Sequence, residues 1–425
     1  MQITRRHFLK SSGALALYAG VSPALNLLNA APATGVHRGK TLVVIFLRGG
    51  LDGLNFVVPY GDKDYYGLRK RIAIARPGEK DGVLELNDTF GLNPRAAALM
   101  PLFESKNAVA LHAVGYALNT RSHFEEQDVW ETGVIGNTVN SDGWLNRHLL
   151  TSTGHGQVRA VTIGDSLPRI LRGDAPAYAL RGISDLSLPG RSESEAAAMT
   201  AALEHAYCST PDAARSAAMD LLAHEARNTL DGMAQLKKLA GQPYQPVGPY
   251  PDTGFSKKLQ ETARLIKADI GLEVVEIDFG GWDTHNNQGG VAGQYGNLVQ
   301  QLTEGLAAFS RDLESRMDDV LVLTLSDFGR TAAENGTSGT DHGWGNCMLA
   351  IGGATLRRTA SKSGPVLGKW PGLSKEKLYQ GRDLAHTTDF RDVLGEVVGA
   401  HLGNENLKRV LPGHEFKPVG LFQPT

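Results

Sequence analysis

"KTLVVIFLRGGLDGLN", Lys40 to Asn55, decides the fold. Its first eight residues form an almost unbroken apolar run, rich in β-branched side chains, with no alternation of polar residues. Such a run reads as a strand covered on both faces, the pattern of a central parallel strand. It stops at Arg48, and a glycine-rich turn holding Asp52 follows. Five more stretches read the same way: "NAVALHAVG" (107–115), "VRAVTIG" (158–164), "LEVVEIDFG" (272–280), "DVLVLTLSD" (319–327) and "CMLAIGG" (347–353). Helical patterns separate them. "NPRAAALMPLFES" (93–105) is one, and "GNLVQQLTEGLAAFSRDLESRM" (296–317) is another, with Leu298, Leu302, Leu306, Phe309 and Leu313 at helical spacing. Strands alternating with helices predict an α/β fold, a mostly parallel central sheet with helices on both sides.

The whole chain has 425 residues, enough for one large domain or two ordinary ones. A net charge of -2 argues against electrostatic nucleic-acid binding. Two cysteines, Cys208 and Cys347, lie far apart, permit at most one disulfide and form no metal-type pair. The first 33 residues open with Arg5-Arg6 and Phe8-Leu9-Lys10, followed by a modest apolar stretch and small residues. The stretch is too short and weak for a spanning helix, so it predicts no stable membrane anchor. It reads as a twin-arginine export signal, cleaved after Ala30 or Ala33, which implies the export machinery as a partner and a periplasmic or secreted protein. The remainder, 34–425, reads as one domain. A helix-forming insertion occupies about 192–241, broken near "CSTPDAA".

In open α/β sheets ligands bind beyond the carboxyl ends of the strands. Four of those ends present ionisable groups. Asp52 follows the first run; Arg121, Ser122 and His123 follow the second; Asp283 and His285 follow 272–280; Asp327, Arg330, Asp341 and His342 follow 319–326. Asp and His together suit Zn, Mn or a similar cation, whereas carboxylates alone suit Ca or Mg. Each residue also has an ordinary reading. Asp52 sits in an Asp-Gly turn. Ser122 could cap the helix "HFEEQDVWE", with Glu125 closing a capping box. His285 could be a hydrogen-bonded loop histidine, and Asp327 could cap a helix starting at Phe328. The coincidence at four strand ends favours a divalent-metal site.

"FLRGGLDGLN", "NTRSHFEEQDVWETG", "GWLNRHL", "FGGWDTHNNQ" and "SDFGRT…GTDHGWGN" together resemble the secreted bacterial domain-of-unknown-function family numbered fifteen-oh-one. That family looks like a branch of the alkaline phosphatase and sulfatase superfamily. The resemblance implies a three-layer α/β/α fold with a metal site at the strand ends. It implies Asp52, Asp283, His285, Asp327 and His342 as metal ligands, Ser122 as a nucleophile, and Arg121 or Arg330 as holders of an anion. Thr120 and His123 are alternative nucleophiles. The pattern departs from the superfamily in two places: Phe328 stands where a histidine follows the aspartate, and the spacing in "DTH" is short. No Cys-x-Pro-x-Arg segment is present, so a formylglycine mechanism is unsupported. The expected function is an exported metal-dependent hydrolase of small-molecule or glycan phosphate or sulfate esters. The alternative is a non-catalytic secreted protein of the same fold that binds an anionic glycan or a protein partner.

Overall fold

The computed structural model describes residues 39–136, 141–154, 156–183, 217–353 and 363–422, with isolated positions between these ranges. The expected export signal, Cys208 and most of the first half of the helical insertion lie outside the described residues.

Among the described residues nine strands form the main sheet. They are β1 (Thr41–Leu47), β2 (Ala108–Gly115), β3 (Ala160–Ile163), β4 (Tyr178–Leu180), β5 (Val274–Phe279), β6 (Val320–Ser326), β7 (Asn346–Gly352), β8 (Val366–Leu367) and β9 (Thr388–Asp389). In space the order is β8-β2-β7-β6-β1-β5-β3-β4, with β9 also paired to β2. The fold is mixed α/β with a mostly parallel central sheet. β1 lies between β5 and β6, parallel to both, and all seven of its residues are buried. Its alternate side chains enter different cores. Val43, Ile45 and Leu47 join one hydrophobic cluster, while Leu42, Val44 and Phe46 join another. This double burial is why the sequence shows no polar alternation there.

The longer helices are α1 (His123–Thr132), α2 (Trp144–Thr151), α3 (Ala217–Ala240), α4 (Gly254–Lys267), α5 (Gln294–Leu313) and α6 (Phe390–Glu396). α5 lays Tyr295, Val299, Leu302, Leu306, Phe309 and Leu313 into the first cluster, at the spacing of one helical face. α4 joins it through Phe255 and Leu259. Its start is capped by the Thr253 hydroxyl, which accepts from the Ser256 N–H at 3.1 Å. α1, α2 and α6 supply Trp130, Leu145 and Phe390 to the second cluster. Among the described residues no helix is long and apolar enough to cross a membrane.

One expectation about the sheet is corrected. The run at 347–353 does form a strand, but β7 is antiparallel to β6 and to β2, with Ala350 opposite Leu323 and Leu349 opposite Ala110. A parallel return from β6 needs a crossover, usually a helix. Residues 327–345 contain no helix and fold back at the same end of the sheet instead.

Candidate metal centre

β1, β5 and β6 are mutually parallel, and β2 shares their direction because both it and β6 oppose β7. Their carboxyl ends therefore lie along one edge. Asp327 follows β6 directly and is buried; its Oδ2 accepts from the Gly49 N–H at 2.7 Å and from His123 Nδ1 at 2.8 Å. His123 is the first residue of α1. Its ring lies on Phe328, with centroids 4.7 Å apart, and meets His342 edge-on at 4.3 Å. The loop after β6 closes as a hairpin through Gly329 N–H to Trp344 O (3.0 Å), Thr331 N–H to Asp341 O (2.9 Å) and Gly343 N–H to Gly329 O (2.8 Å). The loop after β5 packs against its tip. A Cβ at Gly339 would sit 2.1 Å from the His285 carbonyl oxygen, so this approach requires glycine.

Three imidazoles converge on one carboxylate oxygen. Asp283 Oδ1 lies 2.9 Å from His285 Nε2, 3.2 Å from His342 Nε2 and 3.4 Å from His123 Nε2. Atoms of His123, Asp283 and His342 all fall within 4.8 Å of one another. The other nitrogen of each ring has an acceptor. His123 Nδ1 faces Asp327, His285 Nδ1 faces Asp341 Oδ1 at 3.1 Å, and His342 Nδ1 faces the Arg121 carbonyl at 2.8 Å. A carboxylate or carbonyl only accepts, so each Nδ1 carries a proton; when a ring is neutral, its Nε2 lone pair turns inward towards Asp283. His285 and His342 then oppose lone pairs at 3.0 Å. Among the described residues His123 Nε2 is buried without a hydrogen-bond partner. A cation between these atoms would relieve both conditions. This arrangement, outer nitrogens fixed and inner nitrogens free, is how proteins orient imidazole ligands.

The electrostatics keep Asp283 ionised. Burial acts to raise the Asp283 carboxyl pKa, but the Arg330 guanidinium and the neighbouring imidazoles outweigh it and hold the value at about 2. His123 is raised, chiefly by its bond to Asp327. His342 is lowered, chiefly by burial, which favours the neutral, ligand-competent ring.

Of the residues singled out in the sequence, Asp283, His285, Asp327 and His342 are brought together. Asp52 points elsewhere: its buried carboxylate accepts from Arg69 Nη1 at 2.6 Å and from Gln288 Nε2 at 2.5 Å. Arg330 is also buried, and its guanidinium donates to the carbonyls of Gly49, Gly50, Trp282 and Thr340 as well as to Asp283 at 2.7 Å. It braces the loops, and most of its donors are already taken. Arg121 pairs with Asp383 Oδ2 at 2.6 Å and lies over the Trp344 ring at 5.3 Å. Its backbone is left-handed (φ 61°), uncommon for a non-glycine residue, and in this conformation its carbonyl meets His342.

Ser122 occupies the cap position of α1, but its side chain makes no capping bond. The expected capping box with Glu125 does not form. Glu126 reaches back instead, accepting from the Thr120 N–H at 2.6 Å and from the Tyr116 hydroxyl at 2.6 Å. His123, counted in the sequence among the strand-end groups but named there as an alternative nucleophile and not as a ligand, is the third ring of the cluster. The signal was Phe328: the residue beside Asp327 cannot ligate, and the imidazole that reaches Asp327 lies on that phenyl ring.

The fold and site define a mixed α/β protein with a histidine-rich candidate metal centre on the strand-end edge of its sheet. The chain belongs to the family described as protein of unknown function (DUF1501), whose model matches residues 39–411. Comparison with curated proteins finds no match.

Proposed function

We propose that this protein is an exported hydrolase of phosphate or sulfate esters that holds a divalent cation on His123, Asp283, His285 and His342. The observation that carries the reading is the convergence of three Nε2 atoms on Asp283 Oδ1 at 2.9–3.4 Å. Three imidazoles and one carboxylate suit zinc or manganese better than calcium or magnesium, which prefer oxygen ligands. A bound cation would supply Lewis-acid charge to an ester oxygen. Asp327 fixes the His123 ring, and Ser122, beside it and not used as a cap, offers the nucleophilic hydroxyl. A sheet whose strands feed two helix-bearing cores supports the three-layer arrangement of the alkaline phosphatase and sulfatase superfamily.

The test begins with metal analysis of the purified protein, followed by a screen of aryl phosphates, phosphodiesters and aryl sulfates. A protein that takes up no divalent cation would end the metal reading. Ser122→Ala is expected to lower turnover roughly 10³-fold or more. Because the hydroxyl makes no capping bond, stability should change by less than about 0.5 kcal/mol. Intact turnover in that variant would exclude Ser122 as nucleophile.

The alternative, a non-catalytic exported protein that binds an anionic glycan or protein partner, is favoured by one observation. Both candidate anion-holding arginines, Arg121 and Arg330, are already engaged within the protein. Export itself is tested by replacing Arg5 and Arg6 with Lys. Precursor should accumulate in the cytoplasm, and normal export of the variant would refute the twin-arginine route.

A further inference from the structure

We infer that Gln288 is a positioning residue that sets the distance between the two histidine-bearing loops of the candidate metal centre. This rests on the proposed metal site. Gln288, Asp52 and Thr340 are fully buried, and Thr284 is nearly so. Its amide oxygen accepts from the Thr284 hydroxyl at 2.9 Å and from the Thr340 hydroxyl at 2.7 Å. Thr284 lies between Asp283 and His285, and Thr340 is two residues before His342. One carbonyl oxygen thus joins the loop after β5 to the loop after β6, beside the ligands on each. The Thr340 N–H to Thr284 carbonyl bond (3.2 Å) runs across the same junction.

Asp52 decides which way the amide faces. Its carboxylate, paired with the Arg69 guanidinium, accepts, so the side of Gln288 toward it must be the NH₂. The oxygen is then committed to the two threonines, and both hydroxyls must donate. Asp52 is itself held by Arg69, which also donates to Asn55 Oδ1 (2.8 Å) and to the carbonyls of Thr331 (2.9 Å) and Ala332 (2.9 Å), the last two on the loop that carries His342. The strand-end aspartate after β1 therefore acts through Gln288 on the ring spacing and need not touch a cation.

The experiment compares wild type with Gln288→Met, and with the milder Thr340→Val in case the first does not fold. Crystal structures without metal give the separation of His285 Nε2 and His342 Nε2, 3.0 Å here. Titration with zinc and with manganese under chelator competition gives affinity. The expected result is a wider separation together with affinity about tenfold weaker, the lower end of what supporting residues of metal ligands cost. Asn146→Ala is the control. Asn146 is a buried amide that bonds the Leu171 and Ala175 carbonyls, away from the histidines, so its loss should lower stability and leave affinity unchanged. An unchanged ring separation in folded Gln288→Met or Thr340→Val overturns the inference. So does weakening no greater than that of Asn146→Ala. If wild type binds neither ion, the proposed metal site fails, while the crystallographic separation still decides the role of Gln288.

Discussion

His342→Ala is expected to reduce zinc or manganese affinity by more than about 100-fold, because even residues that only support metal ligands cost 10–100-fold when removed. His342 is the centre of the cluster: its Nε2 lies 3.0 Å from His285 Nε2 and 3.2 Å from Asp283 Oδ1, and its ring meets His123 edge-on. The ring is partly exposed, so its loss should leave the fold standing. His112 provides the contrast. It is buried on β2, bonded to the Val57 carbonyl at 2.9 Å and stacked on Phe90, with burial lowering its pKa to about 4. His112→Ala should destabilise the protein while cation affinity persists. Chelator-competition titration of both variants measures the difference. Equal affinity in His342→Ala and wild type would remove the metal centre as described.

Arg69→Leu carries the largest expected stability effect, a loss of about 3–5 kcal/mol. Arg69 and Asp52 are both fully buried and face each other at 2.6 Å. Removing the guanidinium leaves a buried carboxylate with one oxygen already unpartnered. It also strips donors from Asn55, Thr331 and Ala332. Replacing the whole pair, in Asp52→Leu/Arg69→Leu, should recover part of the loss, since no charge is then stranded. Denaturant unfolding compares the two. A single variant as stable as wild type would contradict the ion pair.

What the sequence disclosed follows from where each signal resides. β1, β2, β5 and β6 were legible because a strand buried on both faces has to be apolar throughout. The direction of β7 was not, since composition is the same whichever way a strand runs; only the absence of a helix between Asp327 and Asn346 hinted at it. β8 and β9 have two residues each, too few to make a pattern. In the site, Asp283, His285, Asp327 and His342 stood out as ionisable groups just past apolar runs. Asp52 stood out for the same reason, yet its partner Arg69 lies on a segment with nothing to mark it. The burial of Arg330 was hidden as well, because four backbone carbonyls take up its donors and carbonyls carry no sequence identity. His123 escaped because its role depends on a contact with Phe328 across some two hundred residues.

The hairpin return between β6 and β7 bears on how such a protein could diversify. The chain leaves and re-enters the sheet at the same end, so residues can be added at the exposed tip, Gly336 and Thr337, without changing any strand register. That tip adjoins the carbonyl of His285, to which the Thr337 hydroxyl donates at 2.9 Å. Lengthening or recolouring it would reshape what an incoming ligand meets first, while His342, on the stem of the same hairpin, keeps its place. The tip is therefore the place to graft a new specificity while the imidazoles of this chain stay where they are.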